Sequence, residues 1–306
     1  MTHQVGPPQV HTRWNNRLPP ALEIESGDTV EFTCLDSSGG QVTPSSSLDD
    51  YIRIDRSRIH TITGPVYVRG ACPGDVLEVR IRRVDHHGWG WTSIVPGLGS
   101  IPERFDSPSL FLWHLDGDVS RSMPGVTLPL APFLGIMGVA PAEEGEWRTR
   151  PPGSFGGNLD VRQLVPGATL YLPVYNEGAL FSAGDGHAAQ GDGEICINGI
   201  EAPMTAEIQL TVRRDFRIDQ PLAELPPQDQ RGPDLGSWAF IQSAENPMDA
   251  VRGVVHRAVD FLVARRGLTA EQAYLLCSVA LDLRISQCVN VPQITITGML
   301  GKALFR

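Results

Sequence analysis

Between Gly184 and Glu194 the chain reads GDGHAAQGDGE, which sets Asp185, His187, Gln190, Asp192 and Glu194 among four interleaved glycines. Carboxylates and an imidazole brought to one point are what a divalent cation needs, and a mixed oxygen and nitrogen set suits zinc, manganese or iron better than calcium alone. Glycines at alternate positions let the backbone take conformations closed to other residues, so several side chains can converge from one short loop. Such a segment reads as turns rather than as a core element. Acidic side chains would repel a phosphate, and the EF-hand spacing of ligands is absent. Asp-Gly and Gly-Asp-Gly runs also serve as plain turns. It is His187 inside the run that favours a metal or acid/base site. Asp185, Asp192 and Glu194 are three carboxylates of one loop, and their spacing does not divide ligand from base.

A second polar cluster, Phe155-Gly156-Gly157-Asn158-Leu159-Asp160, places Asn158 and Asp160 two apart, so that in a strand both project from one side. Asp160 is then a candidate third ligand. His60 stands before Thr61-Ile62-Thr63-Gly64-Pro65, whose turn would fix its direction. Glycine-flanked Trp89 and Trp91 would wall a pocket and exclude water, or pack on one another in a loop.

These residues need a scaffold, and the pattern supplies one. Ala21–Glu25, Thr29–Thr33, Val66–Val68, Val76–Ile81, Leu110–Leu115, Leu170–Val174 and Ala206–Val212 are short β-branched or alternating runs separated by Gly, Pro and Asp turns. From Asp85 to Gly153 the residues predict long ordered loops with a few strands. Asn246-Pro247 caps a helix whose apolar positions repeat until Gly267, and Thr269-Ala270-Glu271-Gln272 is a capping box for a second helix running to about Leu283. The expected organisation is a β-rich unit over residues 1–235 carrying the site, and an α/β portion over 236–306 with two helices packed on the sheet.

Composition bounds the function. A chain of 306 residues with 41% hydrophobic residues is long enough for a full core. Its net charge of −10 and the lack of any Lys/Arg-rich run argue against nucleic acid. No stretch reaches the roughly 18 apolar residues of a membrane span. Five cysteines, an odd number with no CxxC pair, predict reduced thiols and a cytoplasmic setting. Lys302 is the single lysine among 25 basic residues, so no mid-chain catalytic lysine exists.

Three strings, GNLDVRQLVPGATLYLPVYNEGALFSAGDGHAAQGDGE from Gly157, HTITGPVYVRGACPGDVLEVRI from His60 and ALDLRISQCVNVP from Ala280, resemble the acetamidase/formamidase family, and the likeness runs nearly end to end. The resemblance implies a mainly β fold with a swivelling β-barrel-like core and an α/β C-terminal part, assembled as a homo-oligomer. It implies hydrolysis of a short aliphatic amide to carboxylate and ammonia with a divalent metal, Zn2+ by expectation, with Ca2+ nearby in some members. Carried over by motif, Asp185, His187, Gln190, Asp192 and Glu194 are the family's signature polar residues, with Asn158, Asp160 and His60 in its other shared motifs; the metal set expected from them is Asp160, Asp185, His187 and Asp192, with Glu194 moving the proton. Asn158 or His60 steadies the oxyanion, Gln190 orients the amide and Trp89 walls the pocket. The missing lysine fits neither a Ser-Ser-Lys nor a Cys-Glu-Lys amidase, which leaves metal-activated water. Two other readings stay open: a ligand-binding protein with a structural Ca2+ loop, and a hydrolase of another C–N bond in a cyclic or aryl amide, suggested by the six tryptophans.

Overall fold

Apolar and polar residues alternate along Met204–Arg213, and burial follows them: Met204, Ala206, Ile208 and Leu210 point inward. This strand pairs antiparallel with Thr29–Cys34 on one side and Val76–His86 on the other. A computed structural model describes the chain except for residues 101, 124–125, 195, 227–235, 269, 271–272, 274–280 and 306. In it the sheet continues to nine strands, from Thr2–Val5 at one edge through Thr169–Pro173, Leu222–Leu225, Ser237–Ala244 and Ile294–Gly301 to Leu281–Gln287 at the other. A second sheet of six strands runs Gly156–Asn158, Phe133–Gly138, Phe181–His187, Ile62–Val68 and Val10–His11, with Leu22–Ile24 joined parallel to Ile62–Val68. Side chains from both sheets meet in one core, where the Phe32 and Phe181 rings touch edge to face at 5.7 Å.

The fold is mainly β, as expected. Among the described residues neither sheet closes into a barrel. Most predicted strands lie within a residue or two of their expected limits, and the predicted helix spans Pro247–Arg266. Asn246 caps it by accepting from the Met248 amide at 2.8 Å, and Gly267 ends it at a left-handed φ of 67°. Its buried face, Ala250, Val254, Ala258 and Leu262, lies on Phe240, Ile296 and Leu300 of the large sheet. Burial of Val254 and of Leu262 contributes roughly 1.5–3 kcal/mol each. Among the described residues no helix is long and apolar enough to cross a membrane.

The region after Asp85 carries a few strands, as expected; among them Phe133–Gly138 is buried at every position, and its unbroken apolar run carries no alternation because both its faces are covered. Two expectations change. Gly184–His187 is not a turn but the end of the buried strand Phe181–His187. Leu281–Leu283, expected to close the second helix, begin the edge strand Leu281–Gln287. Apart from Ala270 and Ala273, which are helical, that helix lies outside the described residues. The sheet continues across the unit boundary expected at residue 235, since Leu222–Leu225 pairs with Ser237–Ala244.

Candidate functional site

The strand Phe181–His187 packs tightly enough that a Cβ on Gly186 would fall 2.2 Å from Met204 Cγ. It delivers Asp185 and His187 into the interior, each at most 2% exposed. Beside it, Gly156–Asn158 pairs with Phe133–Gly138, and the Leu159 and Asp160 amides then both donate to the Gly135 carbonyl at 3.1 and 3.2 Å. That contact bends the chain inward at Asp160, which is fully buried. Gly135 faces the junction: a Cβ there would lie 2.4 Å from Asp160 Oδ1 and 3.0 Å from His187 Nδ1.

Two more carboxylates close the ring. Glu194 enters from a loop latched to the edge strand by hydrogen bonds from the Gly193 amide to the Ser286 carbonyl (3.2 Å) and from the Cys288 amide to the Gly193 carbonyl (3.3 Å). Glu201 is fixed by reciprocal backbone bonds with Trp91, both 2.8 Å. Around the His187 ring, Nε2 is 2.8 Å from Glu201 Oε1, 3.7 Å from Glu194 Oε1 and 4.0 Å from Asp185 Oδ1, while Nδ1 is 3.9 Å from Asp160 Oδ1. Asn290 Nδ2 donates to Asp160 Oδ2 at 2.5 Å.

What this cluster lacks is partners. Asp160 Oδ1, Asp185 Oδ1, His187 Nδ1, Glu194 Oε2 and Glu201 Oε2 are all buried and unpaired, as are the neighbouring Asn158 Oδ1 and Gln190 Oε1. Buried polar atoms left without partners cost about 1–3 kcal/mol each. Burial, then mutual repulsion, pushes Asp185 and Glu194 well above the usual carboxylate range and raises Asp160 as well. Glu201 rises to about 7, mainly through burial. Four acids about one imidazole, all short of hydrogen-bond donors, are a donor set that fits a divalent cation.

The backbone here is strained. Of seven non-glycine residues with positive φ among the described residues, four are His60, Asp160, Asp185 and Glu194. Left-handed conformations of such residues cost of order 1–3 kcal/mol and collect at functional sites. His60 is partly exposed, and its backbone is tied to the Ser37 carbonyl at 2.8 Å. Desolvation, with the nearby Arg150 charge, pushes its pKa down to about 3, so the ring is neutral.

The structure thus brings together Asp160, Asp185, His187 and Glu194, with Gln190 donating to the Asp160 carbonyl at 3.1 Å and Asn158 two residues away along the chain. Asp192 does not join them. It points outward to Arg162 at 2.9 Å and Arg284 at 3.0 Å. Burial opposes its ionisation, but these partners outweigh it and hold the carboxyl below its ordinary value. The turn at Gly191 and Gly193 separates its direction from that of Glu194. Trp89 packs on the cluster of Val42, Tyr51 and Trp91. Glu201 and Asn290 were not singled out from the sequence. A carboxylate between Ile200 and Ala202 is the signal for the first, and Asn290 sits in the third of the strings quoted above. A cavity of about 670 Å³ lies elsewhere, against the helix Pro247–Arg266, lined by Phe216, Trp238, Arg257 and Phe261 among others. It offers no comparable convergence of acids on an imidazole.

Comparison with known proteins identifies the family. The model of the acetamidase/formamidase family matches residues 2–146 and 142–306. A Schizosaccharomyces pombe relative is 32% identical over 63% of this chain, which spans only 61% of that protein's length. The formamidase of Methylophilus methylotrophus is 27% identical over 97% of this chain and 89% of its own. Among solved structures, the acetamidase of Bacillus halodurans superposes with a TM-score of 0.90 at 34% identity, covering 99% of this chain and 98% of that one. The γ-lactamase of Delftia acidovorans gives a TM-score of 0.69 at 26% identity, covering 97% and 90%.

Proposed function

The chain belongs to the acetamidase/formamidase family, and we propose that it hydrolyses a short linear amide to a carboxylate and ammonia at the cluster around His187. The observation that carries this reading is the convergence of unpaired buried acceptors from Asp160, Asp185, His187, Glu194 and Glu201. Asp160, Asp185 and His187 would hold a divalent cation of zinc type, which supplies Lewis acidity and lowers the pKa of water towards about 7.

The protein's own groups do the remaining work. Glu194, whose carboxyl burial raises above the ordinary carboxylate range, is the acid placed to take a proton from water and return it to the departing nitrogen. Asn158 Oδ1 and Gln190 Oε1 are acceptors without partners, and an amide NH2 offers two donors. Neutral His60 can donate to the oxygen on which charge develops. Glu201 orients the imidazole, and Asn290 fixes one oxygen of Asp160 so that the other stays available.

The test is ammonia release from formamide, acetamide and propionamide, before and after chelation, with zinc restored. Release that falls on chelation and recovers with zinc supports the reading; folded protein inert towards all three overturns it for linear amides. The likeness to a γ-lactamase favours one further substrate arm, a five-membered cyclic amide, in the same assay.

A further inference from the structure

We infer that Asp36 is a positioning residue of this site: its buried carboxylate fixes both imidazoles, His187 through Trp91 and Glu201, and His60 through the turn that it closes. Its effect on turnover rests on the amidase reading above; its effect on the two rings does not. Asp36 is 2% exposed and follows the strand Thr29–Cys34. Its Oδ1 accepts from the Ser38 amide at 3.0 Å and its Oδ2 from the Gly40 amide at 3.1 Å, while the Gly39 amide donates to the Asp36 carbonyl at 2.8 Å. A short polar side chain bonded to the backbone just ahead of it is an ordinary way to close a turn, and asparagine or serine also serves there. What the carboxylate adds is a bond to a distant partner, since Oδ1 also accepts from Trp91 Nε1 at 3.0 Å, 55 residues along the chain.

From Trp91 the way to the cluster is short. Its backbone exchanges 2.8 Å bonds with Glu201 in both directions, Thr92 Oγ1 donates to the Gly199 carbonyl at 2.7 Å, and Glu201 Oε1 lies 2.8 Å from His187 Nε2. Successive contacts of 3.0 Å or less thus join Asp36 to the His187 ring. On its other side the turn holds His60. The Ser37 carbonyl accepts from the His60 amide at 2.8 Å, and Arg58 Nη2 donates to the Gly39 carbonyl at 2.7 Å. The two segments are pressed together, since a Cβ on Gly39 would fall 2.6 Å from Thr61 Oγ1. His60 stands at a φ of 58°, a left-handed conformation that a non-glycine residue keeps only while its surroundings impose it. Loosening the turn lets this backbone relax and swings the ring away from the site.

The experiment records acetamide turnover and, in chelator, the nuclear magnetic resonance signals of the histidine ring nitrogens, for the wild type, Asp36→Ala, Asp36→Asn, Trp91→Phe and the variant combining Asp36→Ala with Trp91→Phe. Alanine removes every acceptor, asparagine keeps one oxygen, and phenylalanine keeps the ring at position 91 while removing its N–H. In Asp36→Ala the His60 and His187 signals should both shift, while that of His256, on the helix Pro247–Arg266, stays in place. Its kcat should fall about tenfold with KM unchanged, and Asp36→Asn should recover part of the loss. Trp91→Phe should shift His187 and leave His60. Added to Asp36→Ala it should cost no further factor in kcat, because both changes break the same bond. Either imidazole signal unmoved in folded Asp36→Ala, or losses in kcat that multiply in the combined variant, overturns the inference and leaves the amidase reading standing. Should Asp36→Ala fail to fold, His187 unmoved in Trp91→Phe or His60 unmoved in Asp36→Asn overturns it equally. A wild type that releases no ammonia removes the amidase reading, and the imidazole signals then decide the role of Asp36 by themselves.

Discussion

Glu201 Oε1 lies 2.8 Å from His187 Nε2, and both side chains are almost wholly buried. With the carboxyl ionised, Nε2–H is the donor, which leaves the Nδ1 lone pair free on the side of Asp160 Oδ1, 3.9 Å away. Removing the acceptor in Glu201→Ala should therefore free the ring to turn and weaken zinc affinity about 10–100-fold. Glu201→Gln, which still offers an oxygen to Nε2–H, should retain more. Competition with a chromophoric chelator measures both variants; equal affinity in wild type and Glu201→Ala would show that the ring needs no such support.

The buried acids make stability depend on pH in an unusual direction. Glu201 goes from an ordinary 4.5 to about 7 on folding, and Asp160, Asp185 and Glu194 are shifted the same way. A folded state that holds protons more tightly than the unfolded one is favoured at low pH, so this contribution is intact below about 4.5 and is lost as pH rises through about 7. For Glu201 alone it amounts to about 3 kcal/mol. In chelator the melting temperature should fall between pH 5 and pH 8, and added zinc should lessen or reverse that fall. A melting temperature in chelator that rises across this window would contradict the assignment.

Gly135 leaves the space in which Asp160 and His187 face one another. In Gly135→Ala the new methyl would press on Asp160 Oδ1 and His187 Nδ1. The expected destabilisation is about 1–3 kcal/mol. The loss in kcat and in zinc affinity should be disproportionately large, with the far-ultraviolet circular dichroism unchanged. Denaturant melts and steady-state kinetics on one preparation separate the two effects.

Asp192 and Asp185 offer a contrast within one short segment. Asp192→Asn breaks ion pairs with Arg162 and Arg284 whose members are 29–41% exposed, and should cost at most about 1 kcal/mol. Zinc stoichiometry should be kept. Asp185→Asn removes a cluster oxygen and should abolish tight binding. Loss of zinc from the Asp192 variant alone would return that residue to the ligand set.

The helix from Pro247 and the strands of the large sheet were legible because Asn246, Gly267 and simple alternation are local signals. Asp160, Asp185, His187 and Glu194 were legible as chemistry, since an imidazole set among acids and glycines favours a metal or acid/base site over a plain turn. What remained hidden depends on partners distant in sequence. Gly184 and Gly186 look like turn residues, yet they are needed because Ile62 and Met204 press against a buried strand. Glu201 reaches His187 because its backbone bridges both His187 itself and Trp91, the latter more than a hundred residues earlier. Asp192 shares the spacing of a ligand, and only the positions of Arg162 and Arg284 turn it away.

The left-handed conformations of Asp160, Asp185 and Glu194 place the site on a narrow evolutionary ridge. Glycine at any of the three would relax the backbone and remove a desolvated acid, two gains in stability from one substitution. Selection for thermal robustness alone would therefore drift towards exchanging these side chains, and a library screened only for survival of heating should be enriched in sturdy, silent proteins.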